Sequence, residues 1–127
     1  MTPLTREWVD KAKGDFATAQ RETRARKQPN HDAACFHCQQ CAEKYLKARL
    51  QEASVAFPPT HNLTNLLNLL LPIEPTFSRL RSALQALTLY AVQYRYPGTQ
   101  ANRAEARAAL ALCRTVRDAV RTSLGLS

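Results

Sequence analysis

Apolar residues recur at three- and four-residue spacing along this chain, and prolines at 29, 58, 59, 72, 75 and 97 cut the pattern into pieces. That arrangement demands amphipathic helices joined by short connections. No segment alternates apolar and polar residues with the period of two that a half-buried strand needs. With 127 residues and 45% hydrophobic side chains, the chain has material for one core, so residues 1–127 are read as a single domain.

The first predicted helix runs from Thr5, its expected cap, to Lys27, with Leu4, Trp8, Ala12, Phe16 and Ala19 on one stripe. Asp15 falls inside that stripe. A carboxylate there must find partners, either as a paired group at the end of the core or as one that orients an arginine or histidine in a cleft. After a break at Pro29-Asn30, a second helix spans His31 to Ala53. Its buried stripe is Cys35, Cys38, Ala42, Tyr45, Leu46 and Leu50, and its polar side holds His37, Gln40, Lys44, Lys47 and Gln51. Thr60 or Asn62 can cap a short helix over Leu63–Leu71, which Pro72 ends.

Pro75 opens a fourth helix over Thr76–Tyr94, with Phe77, Leu80, Leu84, Leu87 and Ala91 inward. The fifth covers Thr99–Ser123, with Ala101, Ala104, Ala108, Leu112, Val116, Ala119 and Val120 on its apolar arc. Its opposite side carries Arg103, Arg107, Arg114, Arg117 and Arg121, with Leu110 among them. The expected fold is all-α: an antiparallel four-helix bundle with an additional short helix. Phe36 and Leu110 lie on polar sides, which points to a second apolar contact and hence a homodimer.

The net charge is +8, shared as ten basic and six acidic residues in 1–50 and eight and four in 51–127. Such a balance suits anionic partners or simply a solvated surface. No apolar run reaches the ~20 residues of a bilayer span, and the first 30 residues lack a secretory apolar core. A cytoplasmic location without membrane contact is therefore expected. Cys35, Cys38 and Cys41 are spaced by three inside what reads as continuous helix. Such a spacing rises ~9 Å and turns ~120° from first to last, so the three thiols cannot converge on one ion. They and Cys113 are read as core thiols, and neither metal nor cofactor is expected.

Three stretches carry a family resemblance. Cys35-Phe36-His37-Cys38-Gln39-Gln40-Cys41-Ala42-Glu43-Lys44-Tyr45-Leu46-Lys47-Ala48 has an aromatic, a Gln-Gln pair and a Glu-Lys-x-x-Lys ending. Pro59-Thr60-His61-Asn62-Leu63 has a Thr-His-x-Leu opening, and Tyr94-Arg95-Tyr96-Pro97 contains Arg-Tyr-Pro. Together with Ala12, Asp15, Phe16 and Ala19, these resemble the HEPN domains (higher eukaryotes and prokaryotes nucleotide-binding). Cys38 and Cys41 stand where that family more often has Ala. The resemblance implies a helical bundle that dimerises through the fourth and neighbouring helices. It also implies a minimal nucleotidyltransferase as companion, in a toxin–antitoxin-like pair, and in many members a metal-independent ribonuclease with an Arg-x4-6-His motif.

Metal-free RNA cleavage needs a group to take the ribose 2′-hydroxyl proton and a cation to steady the phosphate. Histidine suits the first task and arginine the second. Arg95 matches the family's arginine and falls at the margin of the apolar stripe if the fourth helix is extended by one residue. Gln100, Ala101 and Asn102 occupy the histidine positions, and no histidine follows His61. Amide side chains bond phosphate but carry no proton at neutral pH. Cleavage is thus expected only if His37 or His61 substitutes, and His61 at a helix start has a structural alternative. Tyr90, Tyr94 and Tyr96 near Arg95 can stack on a base or pack internally.

The reading is a HEPN-type nucleotide- or RNA-binding module. The candidate binding residues are Arg95, Tyr96, Asn102, Lys44, Lys47, His37 and Asp15, with Arg95 the one catalytic candidate. The rivals are a metal-independent endoribonuclease and a module whose only ligand is a partner protein.

Overall fold

The computed structural model describes residues 1–127 and contains helices only. The elements are α1 (Pro3–Arg24), α2 (His31–Glu52), α3 (Leu63–Leu70), a 3-10 segment (Pro75–Leu80), α4 (Arg81–Gln93) and α5 (Arg103–Ser123). α2 is the central rod and packs against all four of the other α-helices. That position explains its composition. Cys35, Cys38, Cys41, Ala42, Tyr45, Leu46, Ala48 and Leu50 are all buried, so apolar groups lie around most of its circumference rather than on one stripe.

The helix ends follow cap chemistry. Thr2, not Thr5, caps α1: its hydroxyl accepts from the Thr5 amide, Pro3 takes the first turn, and Thr5 itself is buried. Asn30 caps α2 and Asn62 caps α3 through their side-chain oxygens. The inward stripe of α1 is Thr5, Val9, Ala12, Asp15, Ala19 and Thr23. Leu4, assigned to that stripe, is exposed, because the helix turns Val9 inward and leaves Trp8 and Phe16 half-buried at the sides.

The fourth element departs further from expectation. Residues 75–80 form a tighter 3-10 turn, and only Arg81–Gln93 is α-helical. Phe77, Leu80, Leu84 and Leu87 are nevertheless all buried, as expected. The helix stops at Tyr94, so Arg95 sits in the following turn and not on a helical stripe.

α5 begins at Arg103 rather than Thr99. Asn102 accepts from the Glu105 amide while the Glu105 carboxylate accepts from the Asn102 amide, a reciprocal capping box. The preceding connection is pinned to α2, where the Asp32 carboxylate accepts from the Ala101 amide at 2.7 Å. The buried side of α5 is Ala106, Ala109, Leu110, Cys113, Val116, Ala119 and Val120. Leu110 is therefore core, and the apolar surface it was expected to add to the basic side does not exist.

Two features tie the core together. Glu74 links the α3–α4 connection to α2 and α5. It accepts from Ser123 at 2.5 Å and from Arg49 at 3.1 Å, and these bonds hold its carboxyl below the usual range. All four cysteines are free and buried. Burial pushes the Cys35 thiol up to about 12, and a hydrogen bond with Cys113, then burial, raises that of Cys38. Thiols held in the neutral form behave as small apolar groups.

Candidate functional site

The chemistry-bearing residues gather on the outer half of α2. From α1, Asp15 reaches two of them: its carboxylate accepts from the Lys44 ammonium at 2.6 Å and from the His37 Nδ1 at 2.7 Å. Asp15 is therefore a paired carboxylate, with a lysine and a histidine as its partners. It holds a histidine, and it neutralises Lys44 at the same time. His37 keeps its Nε2 for solvent, and its ring meets Phe36 edge-on at 5.4 Å.

Between His37 and Lys44 on α2 lies a group the sequence reading passed over. The Glu43 carboxylate, only 3% exposed, accepts from the Lys47 ammonium at 3.0 Å, from the His61 Nδ1 at 2.9 Å and from the Gln39 amide at 3.3 Å. A buried carboxylate persists as an ion only with partners of this kind. Lys47 is buried with it, over the rings of Trp8 at 5.4 Å and Phe57 at 5.9 Å. Lys47 thus does not stand on a solvent-facing basic patch with Lys44 and Gln40: both lysines are committed to carboxylates. The signal for Glu43 was present, since Ala42, Tyr45 and Leu46 surround it and Lys47 follows at i+4.

His61 is the exposed end of this network, with 80% of its side chain open to solvent. Its Nδ1–H is held by Glu43 and its main-chain carbonyl accepts from Gln39 at 3.1 Å. A carboxylate on Nδ1 fixes the proton there in the neutral ring, so Nε2 presents a lone pair outward.

That side chain borders a cavity of about 160 Å³. α2 contributes Phe36, Gln39 and Gln40 to its wall, and α4 contributes Thr88, Ala91 and Val92. Arg95 closes it from the turn beyond α4. Arg95 and His61, 34 positions apart in sequence, therefore face one space. A drug-sized ligand pocket holds ~300–1,000 Å³. This one is smaller.

The remaining candidates are elsewhere. Tyr96 is exposed but does not line the cavity. Asn102 uses its side chain as the cap of α5. Tyr94 is buried and stacked on Tyr90 at 6.2 Å, an internal packing role. No group of three His, Cys, Asp or Glu side chains is placed to hold a metal ion. No helix is long and apolar enough to cross a membrane.

A helical bundle with this order of elements and these three sequence stretches defines a known class. The HEPN domain family matches residues 5–123, and the chain belongs to that family. TT1696 from Thermus thermophilus has a similar crystal structure, with a TM-score of 0.76, 23% identity and coverage of 95% of this chain and 98% of that one. ST0689, an archaeal HEPN homologue, superposes with a TM-score of 0.71 at 22% identity, covering 94% and 96%. No curated protein sequence gives a significant match.

Proposed function

We propose that this HEPN protein is a nucleotide- or RNA-binding module, that it works as a homodimer, and that its companion is a minimal nucleotidyltransferase in a toxin–antitoxin-like pair. The observation that supports binding is the cavity where Arg95 meets Phe36, the Gln39-Gln40 pair and His61. Arg95 has no carboxylate partner, the Gln40 side-chain carbonyl is left to accept from a base edge, and the Phe36 ring offers a stacking face. The companion rests on the family resemblance, and co-purification with the product of the neighbouring reading frame tests it.

Titration with ATP and with a short oligoribonucleotide at low salt tests the cavity. Arg95→Ala is expected to weaken binding about tenfold or more, the loss of one charge-assisted hydrogen bond of ~1.5–3 kcal/mol. Failure of the wild-type protein to bind either ligand at low salt removes the proposal.

One observation favours a second reading, an endoribonuclease. His61, its Nδ1 bonded to Glu43, lines the same cavity as Arg95, and in the neutral ring its Nε2 is the nitrogen free to take a proton. In that chemistry Nε2 takes the 2′-hydroxyl proton, the 2′-oxygen attacks phosphorus, and the P–O5′ bond breaks. Solvent then protonates the departing 5′-oxygen, and Arg95 offsets the charge gathering on the phosphate. RNA cleavage that survives chelation and is lost in both His61→Ala and Arg95→Ala supports this reading. Intact RNA after incubation with the wild-type protein eliminates it.

A further inference from the structure

A second basic site lies away from the cavity. A groove of about 610 Å³ runs between the C-terminal end of α1 and the outer side of α5. Arg24 and Arg26 line it from the α1 side, and Arg103, Arg107 and Arg114 from α5. No carboxylate lines it, and none of the five guanidiniums makes an ion pair.

A solvated helix face normally interleaves its charges, because opposite signs at i,i+4 stabilise a helix and like signs destabilise it. Here Arg103 and Arg107 form a like pair at that spacing, and a second helix end brings Arg24 and Arg26 against them. Two of the five have a local partner other than a charge. Arg103 donates to the Ala25 carbonyl at 2.6 Å, and Arg114 lies over the Phe16 ring at 5.6 Å. These contacts hold two guanidiniums in place and leave their charge uncompensated. Arg24, Arg26 and Arg107 are exposed and make no side-chain hydrogen bond within the protein.

We propose that this groove is a track for the sugar–phosphate backbone of RNA, separate from the cavity and resting on the reading that the protein binds RNA. Three observations select this ligand. All five cations are arginines, whose planar fork matches two phosphate oxygens where a lysine offers a point charge. The apolar lining is confined to Leu110, which is buried, and Ala111, so the groove lacks the aromatic or aliphatic pocket that anchors a peptide partner. From Arg103 to Arg114, α5 rises about 16 Å, which matches four to five phosphates at ~3.4 Å of stacked rise per nucleotide.

The test is the salt dependence of binding to a single-stranded oligoribonucleotide of about 20 nucleotides, measured between about 50 and 200 mM salt. The wild-type protein is compared with the triple variant Arg24→Gln, Arg26→Gln, Arg107→Gln. All three side chains are exposed and without partners, so the fold should be kept, and circular dichroism checks that. Each phosphate contact contributes about 0.7 to the slope of log K against log salt, so the variant's slope should be shallower by about 2. Its affinity at low salt should fall at least about tenfold, with ATP binding at the cavity unchanged.

A variant with the wild-type slope overturns the track and leaves the cavity reading standing. Displacement of RNA by poly-glutamate at matched charge overturns the choice of nucleic acid as ligand. A wild-type protein that binds no RNA overturns the track outright, and the separate ATP titration then decides the cavity.

Discussion

Glu43→Ala is expected to destabilise this protein by about 3–5 kcal/mol, the typical cost of leaving one member of a buried ion pair without its partner. Lys47, buried between Trp8 and Phe57, would lose its counter-ion, and neither its position nor its aromatic neighbours admit enough water to replace it. For a chain of this size each kcal/mol moves the melting temperature by roughly 3–4 °C, so a fall of about 10 °C or more should appear in thermal denaturation. The double variant Glu43→Leu, Lys47→Met separates the causes. If the unpaired charge dominates, it recovers most of the loss, since a buried ion pair is often worth no more than a well-packed apolar one. A single Glu43→Ala variant that melts within a degree or two of the wild type would show that water already reaches Lys47. The same substitution frees His61 Nδ1, so the stability loss and any change in the cavity's ligand affinity should occur together.

Charging the outer face of α4 is the other large perturbation. Leu89 is 63% exposed and Val92 54%, and they stand one helical turn apart; Tyr96, beyond the end of α4, is exposed too. Phe36 is exposed as well, on the adjoining wall of the cavity. A two-fold contact through α4, the homodimer proposed above, would cover these side chains on both copies with one self-complementary patch. Light scattering is expected to give twice 14.3 kDa for the wild-type protein at micromolar concentration. Leu89→Arg with Val92→Arg should yield the single-chain mass with helical content unchanged. Burying two unpaired guanidiniums per copy costs several kcal/mol, an association weakened by roughly a thousandfold or more. A wild-type protein that runs as a monomer under those conditions contradicts the dimer. Since the cavity borders the same face through Val92, the monomeric variant should also change ligand affinity.

Leu110 and Lys47 show where one-dimensional reading ran out. A stripe drawn at 100° per residue assumes that each helix has one buried side. α2 is enclosed by four neighbours, so part of its polar side is interior too, and Lys47 is buried where the stripe placed solvent. α5 meets α1, α2 and α4, which widens its buried arc enough to take in Leu110. Asn102 was misread for a different reason. Its side chain has the same oxygen for a phosphate as for a cap, and the helix beginning at Arg103 uses it locally.

The residue pattern alone determined the helical class, the number of long helices, the α2 and α3 boundaries to within a residue, the burial of the cysteines and the family. These follow from local periodicity, proline placement and cap chemistry, which act over a few residues and leave their mark in the order of the chain. The meeting of Arg95 with His61, the binding of both His61 and Lys47 to Glu43, and the convergence of Arg24 and Arg26 with the arginines of α5 were decided by the tertiary structure. Each joins groups from different elements or from a side of α2 that only its neighbours bury. Packing angles, not sequence spacing, set which of them share a space.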